Sequence, residues 1–160
     1  QRLRYLAFFE MGLKTQPVVL TKSEVATLTS KSELKDKVML QARGSNNWLT
    51  EHHQFTRYVE DLSIPQALLA IESGHADFFQ YDKLTLEYYL AKQPNSNVKL
   101  HTSLYPETMQ TLGFAKNSKY ARRSGAGNSY MERFAQALQL MTVNKQVNPI
   151  VNKYFPHKND

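Results

Sequence analysis

Residues 66–82, Gln-Ala-Leu-Leu-Ala-Ile-Glu-Ser-Gly-His-Ala-Asp-Phe-Phe-Gln-Tyr-Asp, constrain the fold of this chain more tightly than any other stretch. Ile64, Ala67, Leu68 and Ile71 recur at helical spacing and predict an apolar helix face. Gly74 supplies the left-handed stop that ends such a helix. A short apolar strand over 76–81 follows and runs into one carboxylate, Asp82. A helix leading through a tight turn into an apolar strand suits an α/β sheet, where ligands are met at the carboxyl ends of strands. Asp82 is therefore expected at a ligand-facing edge.

The rest of the chain extends this pattern. Pro17–Thr21 is a β-rich run, and Ser30 and Glu33 have capping-box spacing for a short helix over 30–36. A strand over 37–42 closes at Arg43-Gly44-Ser45, a helix is predicted over 46–55, and a short strand around 57–59. A helix over 83–92 stops at Gln93-Pro94-Asn95-Ser96-Asn97, the strongest loop signal in the chain. Strands over 98–103 and 109–115 precede two helical stripes. One is Met131, Phe134, Ala135 and Leu138; the other is Val147, Ile150, Val151 and Tyr154, with Asn148-Pro149 suited to a first helical turn. Strands separated by helices predict a parallel or mixed sheet covered by helices.

Composition excludes some chemistries. The 160 residues contain no cysteine, which removes disulfides, thiolate metal sites and cysteine nucleophiles together. No apolar run reaches the length of a membrane span. The formal charge is +6, yet the basic residues are scattered, only Arg122 and Arg123 are adjacent, and a solvated cationic surface is the reading adopted. No serine sits in a nucleophile-elbow context. His52 and His53, adjacent on a predicted helix, point in different directions and do not make a shared metal site.

Two positions remain open on the residues alone. Gly44-Ser45-Asn46, between a strand and a helix, is either an ordinary glycine turn with a cap or an anion site built from helix N–H groups, the Ser45 hydroxyl and Arg43. Asp82 is either the cap of the following helix or the partner of a cationic ligand group, and the two roles are compatible. Trp48, Phe79, Tyr81 and Tyr105 are the aromatic candidates for a binding wall, with core packing the stronger expectation for Phe78 and Phe79. Asp77, at the other end of the strand, is expected to be structural.

Three segments in order resemble a known family. They are 34–45 (Leu-Lys-Asp-Lys-Val-Met-Leu-Gln-Ala-Arg-Gly-Ser), 67–77 (Ala-Leu-Leu-Ala-Ile-Glu-Ser-Gly-His-Ala-Asp) with its strand ending at Asp82, and 112–118 (Leu-Gly-Phe-Ala-Lys-Asn-Ser), followed by the long helix and Val151-Asn152-Lys153-Tyr154-Phe155. Together they resemble the type 2 periplasmic solute-binding proteins, in particular the family-3 group that captures amino acids and other small polar solutes. Residues 1–9 resemble that group's segment leading into the first hinge. The resemblance implies an α/β lobe with a mixed, mostly parallel sheet flanked by helices. It places the second lobe over about 16–110 and hinge strands with terminal helices over 1–15 and 111–160, most of the first lobe being expected upstream of Gln1.

The implied function is non-catalytic capture of an amino acid or similar zwitterion or anion in an interlobe cleft, for uptake through an ABC transporter. The implied ligand residues are Arg43, Gly44, Ser45 and Asn46 around the anion, Trp48 as an aromatic of the cleft wall, and Asp82 for an ammonium group. No cofactor and no metal are implied. The expected partners are the solute and a transporter permease or a fused receptor module, without nucleic acid and without stable membrane insertion of this segment, and the expected location is periplasmic. The alternatives are a ligand-sensing domain of a membrane receptor, an enzyme on the same fold, and a nucleic-acid-binding protein using the positive charge.

Overall fold

The computed structural model describes residues 2–43, 56–60, 62–122 and 127–154. Gly44, Ser45, Asn46, Trp48, the His52-His53 pair and the helix expected over 46–55 lie outside the described residues. The chain divides into two compact units, one of residues 15–107 and the other of 1–14 with 108–160.

The larger unit is built on a five-stranded sheet. Its strands are β2 (Pro17–Lys22), β3 (Val38–Ala42), β4 (Thr56–Glu60), β5 (Phe78–Asp82) and β6 (Val98–His101), in the order β4-β3-β5-β2-β6. β3 runs parallel to both β4 and β5, while β2 is antiparallel to β5 and β6. Four strands thus point the same way and β2 alone is reversed. Helix α1 (Ile64–Ser73) precedes β5, and α2 (Lys83–Ala91) follows it.

Local chemistry accounts for these boundaries. Ser63 and Gln66 form a reciprocal capping box at the start of α1, with Pro65 in its first turn. Gly74 ends α1 at φ 77°, its N–H returning to the Ala70 and Ile71 carbonyls. The capping box at Ser30 and Glu33 is present as well, but it opens only a single 3-10 turn, Lys31–Leu34. Lys35 leaves helical geometry at ψ 140° and Asp36 then takes a left-handed φ of 59°, so the winding ends before the predicted limit. The Glu33 carboxyl is held below its usual range by the Thr29 and Ser30 amides and the Thr29 hydroxyl that donate to it.

Strand β5 is covered on both faces. Phe79 belongs to the cluster with Val18, Leu20, Leu40, Leu68, Ile71 and Leu86, against α1 and α2, and Tyr81 stacks on it at 5.5 Å. Phe78, on the opposite face, packs with Val19, Leu28, Leu34, Met39, Leu104 and Tyr105. At the start of the strand Asp77 accepts a hydrogen bond from the Val38 N–H at 2.6 Å, while its own N–H donates to the Val38 carbonyl. That pairing pins β3 to β5, the structural role expected for Asp77.

His101, 1% exposed at the end of β6, holds the segment that follows β2. The Leu28 N–H donates to its Nδ1 at 3.0 Å, so the proton of the neutral ring sits on Nε2, 2.8 Å from the Thr21 hydroxyl. That hydroxyl in turn donates to the Lys22 carbonyl. Burial and then the nearby Lys99 charge lower the His101 pKa, with Glu33 acting the other way. Because the folded value lies below the unfolded one, the neutral ring contributes stability that is complete above the ordinary value of about 6.5 and is lost as pH falls below it. His101→Gln keeps one acceptor and one donor without titrating. Urea melts from pH 7.5 to 5 should show wild type losing stability relative to this variant below about pH 6.5; parallel curves would contradict the assignment.

The smaller unit contains a two-stranded sheet of β1 (Leu6–Thr15) and β7 (Thr108–Ala115), whose last β1 residue opens the larger unit, and helices α3 (Tyr130–Val143) and α4 (Val147–Tyr154). Phe134 of α3 meets Phe114 of β7 edge-on at 5.6 Å, and Phe114 meets Phe9 of β1 at 6.0 Å. Ser129 and Glu132 cap α3 reciprocally. Gly12 has φ 67°, and a methyl group there would overlap the Thr142 side chain of α3. Gly12→Ala should therefore destabilise this unit by more than the roughly 1–2 kcal/mol that the left-handed backbone alone costs. Adding Thr142→Ala should recover only part of the loss, and full recovery in thermal melts would show that the backbone conformation contributes nothing.

Candidate functional site

The strand directions bring the carboxyl ends of β3 and β5 to one edge of the sheet. Leu40 pairs with Phe79 in parallel register, and Arg43 is the first residue after β3 while Asp82 is the last of β5. Pro17, the first residue of the reversed β2, pairs with Asp82 on its other side. The sequence-predicted Arg43 and Asp82 thus share one edge of adjacent strands, with Arg43 exposed. Gly44, Ser45, Asn46 and Trp48 follow Arg43 in the chain and are not described. Phe79 is core rather than wall, Tyr81 is half-buried against it, and Tyr105 is buried on the opposite face.

Asp82 is the N-cap of α2. Its Oδ1 accepts from the Thr85 N–H at 3.1 Å and the Thr85 hydroxyl at 3.3 Å. Its Oδ2 accepts from the Thr15 hydroxyl. Among the described residues these partners are all neutral donors, so the carboxylate is oriented without a cation of its own. An ionised carboxylate has about four lone-pair directions, so capacity remains to accept from a ligand. The cap reading of Asp82 is realised, and the half-buried position leaves the carboxylate reachable. Beside it, Lys83 and Glu87 form an i,i+4 pair at 3.8 Å, a partly exposed contact of small energetic weight.

Gln16 is the residue that sequence reasoning missed. It is buried, and its Nε2 donates to the Thr102 carbonyl at 2.6 Å and the Tyr105 carbonyl at 2.5 Å, while its own carbonyl accepts from the Lys83 N–H at 2.8 Å. It therefore ties the start of β2 to the start of α2 and to the loop after β6, on both sides of Asp82. Beneath that edge, Gln80 is buried next to Asp82's strand end, and burial pushes the Tyr105 phenol up to about 12, with the Gln80 side chain opposing the shift. Lys31 places its ammonium 4.2 Å from the Tyr105 ring centre. A lone glutamine before a proline carries no sequence signal; only the register reveals it. Gln16→Leu leaves the two carbonyls without their donor and should cost about 2 kcal/mol or more in urea melts, a loss under about 0.5 kcal/mol showing that water replaces the amide.

Comparison with known proteins gives the fold. No protein-family model and no curated protein matches the sequence. Solved structures match closely in shape. The GluR0 ligand-binding core from Nostoc punctiforme in complex with L-glutamate superposes with TM-score 0.74 at 21% identity, over 96% of this chain and 67% of that one. An ancestral arginine-binding protein bound to arginine gives TM-score 0.71 at 18% identity, over 96% and 66%. The substrate-binding protein of an amino acid ABC transporter gives 0.72 at 12%, over 98% and 66%. The chain has the periplasmic-binding-protein-like type 2 fold of these amino-acid-binding proteins. It spans about two thirds of their length.

Proposed function

We propose that the carboxyl edge of the five-stranded sheet binds a small amino acid or related zwitterion, without catalysis, for uptake through an ABC transporter. The observation that carries this reading is Asp82, a carboxylate oriented by Thr15 and Thr85 at a strand end and given no cation among the described residues. An α-ammonium group would complete it with a charge-assisted hydrogen bond. Arg43, just past the carboxyl end of the neighbouring strand β3, would meet the ligand's carboxylate. Gly44, Ser45 and Asn46 are proposed on sequence grounds to extend that anion site, with Trp48 as an aromatic wall beside it. An opposing lobe would close over the solute in a cleft, outside the cytoplasm. Support for the amino-acid class comes from the fold neighbours, which were solved with L-glutamate and with arginine.

The structure suggests a variant that separates cap from ligand. Asparagine caps helices as well as aspartate does, so Asp82→Asn should leave the ligand-free melting temperature nearly unchanged while removing the charge. A thermal-shift screen of the L-amino acids on the protein should find a binder, and at about 100-fold excess over Kd it should stabilise wild type by about 2.7 kcal/mol. The variant should lose that shift. An undiminished shift in Asp82→Asn would rule out Asp82 as the ammonium partner, and no shift with any amino acid would rule out the ligand class.

A further inference from the structure

The net charge of +6 is not shared between the two units. Residues 1–14 with 108–160 hold eleven Lys and Arg against three Asp and Glu, whereas residues 15–107 hold nine against eleven. The scatter of basic residues along the sequence conceals this division, because the smaller unit is assembled from both chain ends.

Within that unit three exposed tyrosines each stand beside a described cation. Tyr5, Tyr120 and Tyr130 are 63%, 50% and 57% exposed. Each carries its own cation near the ring: Arg4 at 5.6 Å from Tyr5, Lys119 at 5.1 Å from Tyr120 and Arg133 at 5.3 Å from Tyr130. The Tyr120 and Tyr130 rings lie 5.8 Å apart, and the Met131 N–H donates to the Tyr120 carbonyl. At the Tyr5 end a further cation, Lys116, donates its N–H to the Tyr5 carbonyl and its Nζ to the Leu3 carbonyl. Leu3 is 72% exposed beside them. Glu132, the acidic neighbour on α3, is turned back to accept from the Ser129 N–H at 2.7 Å.

We infer that these exposed tyrosines and cations of the smaller unit adsorb to an anionic phospholipid bilayer. Lysine and arginine near such a surface gain from its negative potential, and half-exposed tyrosines suit the headgroup layer, with an apolar ring and a polar tip. Leu3 adds an apolar group that a polyphosphate chain would leave unused. Cations over the rings also occupy faces that single-stranded nucleic acid would need for base stacking, which favours the lipid surface as the occupant. The contact is peripheral, since no described helix is long and apolar enough to cross a membrane. It is independent of the solute site, which lies in the other unit.

Vesicle co-sedimentation of the full chain tests this. Binding is expected to phosphatidylcholine vesicles containing phosphatidylglycerol, not to phosphatidylcholine alone, and should fall steeply between low and high salt. Reversing Arg4, Lys119 and Arg133 to glutamate together should weaken it by about a hundred-fold or more. Lys35→Glu with Lys37→Glu, in the other unit, should change it little, and circular dichroism melts confirm that both variants fold. Equal binding to the two vesicle types, retention in the triple variant, or tighter binding of single-stranded DNA at the same salt would each overturn the inference.

Discussion

The rest of the larger unit depends on β5 being covered on both faces. A strand with Phe79 packed under α1 and α2 and Phe78 packed under the opposite cluster has no solvent face. It takes the middle place in the five-stranded order, with β3 parallel on one side and β2 antiparallel on the other. A one-residue slip would exchange its two faces and misplace both aromatic rings. Fixing the strand fixes its ends, where two carboxylates sit: Asp77 holding β3 and Asp82 capping α2. The position of the candidate site is thus a consequence of core packing rather than of a loop.

The polar groups carried into this interior are paired in ways that join segments remote in sequence. His101 accepts from Leu28, and Gln16 donates to Thr102 and Tyr105. Each such bond contributes modestly when made but costs more to leave unmade. The buried histidine ring therefore fixes both a tautomer and the path of the segment after β2. Gln16 does the same for the surroundings of Asp82, so the carboxylate is held by Thr15 and Thr85 directly and by Gln16 through the backbone around it.

Much of this was legible in sequence where the signal is local. The stripe from Ile64 to Ile71 and the stop at Gly74 appear as read, because helix periodicity and capping act within a few residues, whereas the apolar strand expected over 76–81 starts two residues later and takes in Asp82 as its last residue. The short helix over 30–36 was overextended, since neither Lys35, where the chain leaves helical geometry, nor the left-handed Asp36 is marked by a glycine or proline. The reversal of β2, the pairing that sets the ends of β3 and β5 side by side and the clamp made by Gln16 were not readable. All three arise from pairing between distant strands, which one sequence does not display. β1 was anticipated only as a hinge strand through resemblance, since Glu10 and the left-handed Gly12 interrupt its pattern. For Asp82 both sequence readings were open; the cap is observed, and the ligand role is the proposal.

The central claim is that solute chemistry gathers at the carboxyl edge of the sheet around Asp82. Its most direct measurement is a backbone amide NMR titration with the amino acid that binds. The account predicts the largest shifts at Thr15, Gln16 and Lys83–Thr85, whose amides and side chains surround that carboxylate. Shifts centred instead on the Gln93–Ser96 turn beside Glu72, with the amides around Asp82 unmoved, would contradict it.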